Sequence, residues 1–420
     1  MMNPTFFDPI SLESWLQEDT SPSLRADLEE YLLSYASVFR LESQYNHFNT
    51  MIQGLLSSLE RKSIEPIALH LQGEKSVRSL QQFLARSPLD EAGLLDCYQR
   101  QLSKQINSPG GMLSVDDSGF VKKGNHSIGV KRQYCGRLGK KENCQVGVFL
   151  AYASEKGYGL VEHELYIPEE WFQPSHEALR KKCYLPETTQ FRTKNEIALS
   201  MMNRILETNL FDIQWIGCDA AYGNDHTLLD SLKLPEGVWY FAATNSQERI
   251  YLEYPQTTYP KTKRGFPQKH PEYSVKPIEV CRVAENDAIP WEEITLAEGS
   301  KGPITAERKL LRCYASRSGK HRRHIGPSEE IWLYIRRFAN GETKYFVSNA
   351  PSDMPLEELD RAATLRWPIE QCFEECKSNL GMDHYETKLY HGWKRHMQFV
   401  MIAHLFTLKV RETLKKNAFH

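Results

Sequence analysis

Three short segments each set a carboxylate at the edge of an expected regular element. LSVDDSGF carries Asp116 and Asp117, IGCDAAYG carries Asp219, and LRWPIEQCFEECK carries Glu370. Carboxylate oxygens are what a hard divalent cation such as Mg²⁺ prefers. Two Asp and one Glu drawn from separate elements form a donor set for a pair of ions around a scissile phosphate. One ion then serves the attacking oxygen and the other the leaving oxygen. Taken singly, each residue has a plainer role: an Asp ending a strand caps a turn or helix, and a helical Glu faces solvent. The nine cysteines are scattered without a CxxC pair and offer neither a disulfide framework nor a structural zinc site. Cys372 and Cys376, one helical turn apart, read as small buried thiols.

The elements that must hold these carboxylates follow from hydrophobic periodicity. Residues from about 10 to 108 read as helices, SLRADLEEYLLSYASVF being the clearest. Within them, RKSIEPIALHLQGEKSVRSLQQFLARSP has the form of two short helices around a Gly-containing turn, with Lys75, Arg78 and Arg86 on the second. That pattern suits a DNA-binding module and an ordinary helical bundle equally. After Ser108-Pro109-Gly110-Gly111 come the strand-like runs MLSV and CQVGVFLAYAS, the helical RTKNEIALSMMNRIL, and FDIQWIGCDAAYG, a buried strand ending at Asp219. Strands followed by helix and strand indicate an α/β layer. From about Trp239 to Val347, short apolar runs between Pro- and Gly-rich turns predict a β-rich insertion. LEELDRAATLRWPIEQCFEECKSNL is then helical, interrupted only locally by Pro368. The last segment keeps Met397, Val400, Met401, His404, Leu405 and Leu408 on one stripe, as a core helix does.

The 420 residues call for more than one structural unit. Lys and Arg (52) nearly balance Asp and Glu (54), so any nucleic-acid surface must be local rather than global. Basic pairs and triplets supply it: Lys122-Lys123, Lys131-Arg132, Lys140-Lys141, Lys261-Lys263-Arg264 and Lys320-Arg322-Arg323. Tyr345 and Trp332, on basic-flanked strands, are candidates to stack on an unpaired base. No stretch approaches the roughly 18 apolar residues of a spanning helix, and MMNPTFFDPISLESW lacks the order of a signal peptide. The expectation is a cytoplasmic protein with no membrane partner.

The segments VDDSGFVKKGNHSIGVKRQYCGRLGKKENCQVGV, DAAYG and RWPIEQCFEECKSNLGMDHYE, in this order and spacing, resemble the DDE transposases of bacterial insertion sequences. The branch is the one with a β-rich insertion between the second and third acidic residues. The likeness runs from about Leu113 to about Leu405. It implies an α/β fold with a ribonuclease-H-like catalytic core, interrupted by the insertion and preceded by an N-terminal helical domain. The expected division is 1–108 helical and DNA-binding, 109–238 and 348–420 catalytic core, and 239–347 insertion.

Residue by residue, the resemblance makes Asp117, Asp219 and Glu370 the catalytic, metal-binding triad. Asp117 is preferred over Asp116 because the family's first Asp precedes Ser or Thr, as Asp117 precedes Ser118. Arg366 and Lys377 match the basic members of a Tyr-Arg-Glu-Lys signature. Its Tyr is replaced here by Ala363, and a usual Gly of the second block by Ala221. DNA contacts are expected from Arg366, Lys377, Lys122, Lys123, Lys131, Arg132, Lys263, Arg264, Arg322, Arg323 and Tyr345. The implied cofactors are two Mg²⁺ ions per site, with Mn²⁺ as substitute. The implied partners are double-stranded DNA, as terminal inverted repeats and target, and a second copy of the chain in a paired-end complex. Rival readings are a metal-dependent nuclease of the same fold and a non-catalytic DNA-binding descendant.

Overall fold

The computed structural model describes residues 22–260, 271–299, 302–318 and 324–418. In chain order its main elements are α1 (Pro22–Leu33), α2 (Glu42–Leu56), α3 (Ile64–Leu71), α4 (Val77–Ala85) and α5 (Glu91–Ile106). Next come β1 (Gly111–Val121), β2 (Lys131–Cys135), β3 (Lys140–Ser154), β4 (Gly157–Tyr166) and α6 (Lys194–Thr208). The third stretch has β5 (Ile213–Cys218), β6 (Trp239–Thr244), β7 (Arg249–Tyr251), β8 (Glu292–Gly299), β9 (Gly302–Ser318), β10 (His324–Arg337) and β11 (Thr343–Ser348). The chain finishes in α7 (Leu356–Leu365), α8 (Pro368–Leu380) and α9 (Tyr390–Ala418). The architecture is thus mixed α/β. No helix among the described residues is long and apolar enough to cross a membrane.

These elements fall into two compact units. One is Ile213–Arg366; the other joins the described residues up to Asp212 with those from Trp367 onward. In the second unit β3 pairs antiparallel with β1 on one edge and with β2 and β4 on the other. Helix α6 begins with a full capping box, Thr193 and Glu196 each accepting from the other's backbone N–H, which satisfies donors a helix start otherwise leaves open. The stripe expected on the last segment is buried: Met397, Val400, Met401, His404 and Leu405 are all inside. Helix α9 joins the N-terminal helices to the sheet. Phe399 packs on Phe48 and Phe83, with ring centroids 5.5 and 5.9 Å away, and Trp393 lies 6.2 Å from Phe149. Burying an aromatic of this size contributes on the order of 2–3 kcal/mol. Cys372 and Cys376 are buried thiols, as their spacing suggested.

The 64–86 stretch forms the two expected short helices around Gly73, whose φ of +85° suits glycine. Leu80, Phe83 and Leu84 bury the second helix's apolar face, and Lys75, Arg78 and Arg86 remain exposed.

In the Ile213–Arg366 unit, β5 and β6 are parallel and the remaining pairings antiparallel, in the order β5, β6, β11, β10, β9, β7, with β8 also on β9. Phe241, Tyr334 and Phe346 form its aromatic centre, with centroids 5.1–6.0 Å apart. The local interruption expected at Pro368 divides this segment into two helices. Arg366 and Trp367 keep right-handed helical backbone angles, but Pro368 has no N–H to continue the ladder and starts α8 instead.

Candidate functional site

Strand β1 presents its two neighbouring acids to opposite faces. Asp117 lies opposite Val148 in the register, and its Oδ2 accepts from Lys194 Nζ at 2.5 Å. Lys194 is the first residue of α6, so Asp117 faces that helix. Asp116 shares its face with Ser118, whose hydroxyl accepts from Lys377 Nζ at 2.6 Å. Lys377 lies in the last turn of α8, so Asp116 faces the helix that carries Glu370. Burial lowers the Lys377 pKa and Arg137 lowers it further, while Asp383 and Asp116 oppose them.

Glu370 is exposed in the first turn of α8, where a negative charge complements the helix dipole. A second acid on the same helix is sunk. Glu375 accepts from His404 Nε2 at 2.7 Å, Arg411 Nη1 at 2.9 Å and Tyr158 Oη at 2.8 Å. Burial alone would raise its pKa, but His404 and Arg411 outweigh it and hold the carboxyl at about 2. This network ties α8 to α9 and β4. Gly381, at φ +62°, ends α8, and Lys62 reaches the α8 carbonyl of Asn379.

In the other unit Asp219 follows β5 and caps the short helix Ala220–Gly223, its Oδ1 accepting from Ala221 N at 2.9 Å and Tyr222 N at 3.3 Å. The turn is pressed so tightly on β6 that a Cβ at Gly223 would stand 2.0 Å from the Ala243 carbonyl oxygen. Only glycine permits this approach, and the approach fixes where Asp219 points. Arg366 closes the C-terminal end of α7, where a cation is favoured. Ala363, in the place of the signature's Tyr, is buried on α7.

The basic residues separate by environment. Lys122 Nζ donates to the Tyr385 carbonyl at 3.0 Å and sits 3.4 Å from the Tyr385 ring centroid; burial lowers its pKa to about 8. Lys123 and Arg132 are exposed, while Lys131 pairs with Glu170 at 2.9 Å. Tyr345 is half-buried on β11, opposite Ile335 and Thr244. Trp332 is buried and its indole N–H donates to the Pro351 carbonyl. Lys261, Lys263, Arg264, Lys320, Arg322 and Arg323 lie outside the described residues.

Sequence reasoning missed Lys194 and Glu375. The capping box around Lys194 is visible in TKNE, but nothing there announces a partner 77 residues away. Within either unit, no three His, Cys, Asp or Glu side chains among the described residues are grouped as a metal site would require.

The chain is a member of the DDE superfamily endonuclease family, whose profile matches residues 35–303. That span includes Asp117 and Asp219 and stops before Glu370. The chain is also similar to the probable transposase for insertion sequence element IS701 of Microchaete diplosiphon, with 29% identity over 212 residues. The alignment covers 49% of this chain and 52% of that protein, so the chain spans about half the length of its relative.

Proposed function

We propose that this protein is an insertion-sequence transposase with a ribonuclease-H-like core. In this reading it binds transposon ends, cuts phosphodiester bonds with two divalent ions, and joins the freed 3′-hydroxyls to target DNA. The observation that carries the reading is the family match across two half-exposed acids, Asp117 and Asp219. The donor set fits a hard divalent ion chemically, since Asp117, Asp219 and Glu370 offer oxygen ligands alone. When bound, the ions supply activation of the attacking oxygen and neutralisation of charge on the leaving one.

The chain's own groups do the remaining work. The two backbone N–H groups on Asp219 Oδ1 fix one carboxylate before substrate arrives. Lys194 balances the Asp117 charge in the absence of metal. The buried Glu375 network holds the helix that carries Glu370 and Lys377. Arg366, Lys123, Arg132 and Lys377 address DNA phosphates, and two copies of the chain hold a pair of ends. Mg²⁺ is the working ion, with Mn²⁺ as substitute.

The test is Asp219→Ala on intact and on pre-nicked transposon ends, each mixed with a plasmid. Cleavage and joining should fall below detection while end binding persists. Full-rate cleavage by the variant sinks the assignment, and cleavage without joining by the wild type turns it into a nuclease. A second reading makes Asp116 the first ligand in place of Asp117, because Asp116 faces the helix that carries Glu370.

A further inference from the structure

A single transverse row of charge crosses four strands of the Ile213–Arg366 unit. Glu292 on β8 lies opposite Arg308 on β9, Arg308 opposite Arg336 on β10, and Arg336 opposite Lys344 on β11. Three cations side by side repel one another, and like charges placed directly opposite destabilise a sheet. Two of the three are answered. Arg308 forms ion pairs with Glu292, at 3.0 Å, and with Asp360 on α7. Lys344 is half-exposed beside Glu342, at 3.5 Å.

Arg336 is the exception. It is only 7% exposed, yet its Nε and Nη1 have no hydrogen-bond partner among the described residues. The nearby acid on α7 is already spent, because Asp360 gives one oxygen to Arg308 and accepts from the Tyr334 hydroxyl, at 2.9 Å, with the other. Its guanidinium lies over two aromatic faces, with the Phe338 centroid at 4.9 Å and the Phe346 centroid at 5.7 Å. Burial lowers its pKa and Arg366 adds to that, while Tyr334, Asp360 and Glu342 oppose them. A buried guanidinium with two unsatisfied nitrogens, beside a second arginine, is costly unless a ligand supplies an anion.

We propose that Arg336, with Arg366 at the C-terminal end of α7, forms a binding site for a backbone phosphate of a nucleic-acid strand. The planar fork of arginine suits a phosphate, whose oxygens can take two parallel N–H donors at once. The aromatic faces of Phe338 and Phe346 keep the guanidinium in place while the site is empty. The β-rich segment thereby contributes a strand-clamping contact of its own, besides its role as packing. This inference rests on the reading of the chain as a DNA-processing enzyme.

The test measures binding of a labelled DNA duplex by Arg336→Met over a series of salt concentrations, together with the melting temperature of the free protein. Arg336→Met should bind about three- to ten-fold more weakly at low salt, and the slope of log K against log salt should shrink by about 0.9, the contribution of one phosphate contact. Its melting temperature should equal or exceed that of the wild type, since a buried charge with two unsatisfied nitrogens has been removed. Unchanged affinity and slope overturn the proposal. If Arg336→Met melts lower, Arg336→Lys decides: near-wild-type slope upholds the site, and a lost contact despite the retained charge overturns it. Failure of the wild-type protein to bind duplex at any salt removes the transposase reading itself, which is a separate outcome.

Discussion

Lys194 Nζ stands 2.5 Å from Asp117 Oδ2, so the carboxylate expected to meet a divalent ion already holds a cation supplied by the chain. A metal ion binding there must displace the ammonium. Lys194→Met should therefore bind Mn²⁺ several-fold more tightly in calorimetric titration. The partly exposed pair contributes at most about 1 kcal/mol, so the metal-free variant should lose no more than that in denaturant unfolding. Unchanged Mn²⁺ affinity would remove Asp117 from the ligand set.

The opposite facing of Asp116 and Asp117 makes them separable. Asp117→Asn should abolish Mn²⁺ binding and strand cleavage while leaving the fold intact, because its side chain is part-exposed. Asp116→Asn should leave Mn²⁺ affinity within about two-fold of wild type, consistent with a side chain that serves the Ser118 and Lys377 face. Reversal of the two results transfers the ligand role to Asp116.

The Glu375 network gives a pH signature with a definite sign. Its carboxyl is held at about 2 against an ordinary 4.5, a depression worth about 3 kcal/mol. A depressed acid stabilises fully above its unfolded pKa and loses that contribution as pH falls through its folded one. Glu375→Gln should thus be less stable than wild type by about 3 kcal/mol near pH 6, with the gap closing between pH about 4.5 and about 2. Urea unfolding at a series of pH values reads this directly. A gap that stays constant with pH would show that the loss comes from packing instead of charge.

Much of the fold was legible because the relevant signals are local. The strand that ends at Asp219, the helix opened by Thr193 and Glu196, and the buried stripe of α9 each declare themselves within one short window. The site was legible only as separate acids. Glu374 and Glu375 are neighbours in sequence, yet one is exposed and the other sits among His404, Arg411 and Tyr158; nothing in FEECK distinguishes them. Lys122 and Lys123 diverge in the same way, since the partner of Lys122 is Tyr385, 263 residues on. The charge row through Arg308, Arg336 and Lys344 depends on strand register, which alternation of residue type cannot fix between distant strands.

The unit that carries β1 is built from both ends of the described chain. Tyr31 donates to the Ile402 carbonyl across 371 positions, and Phe48 packs on Phe399. On a ribosome this imposes a waiting time. At about 5–20 residues per second, the roughly 180 residues between Asp219 and Phe399 take on the order of 10–40 seconds to appear. Throughout that interval Phe48, Phe83 and Phe149 lack the helix that covers them. A chain cut short before α9 already carries Asp117 and Asp219, but it meets chaperones and proteases as an open core. The connectivity thus delays completion of this unit until α9 has been made.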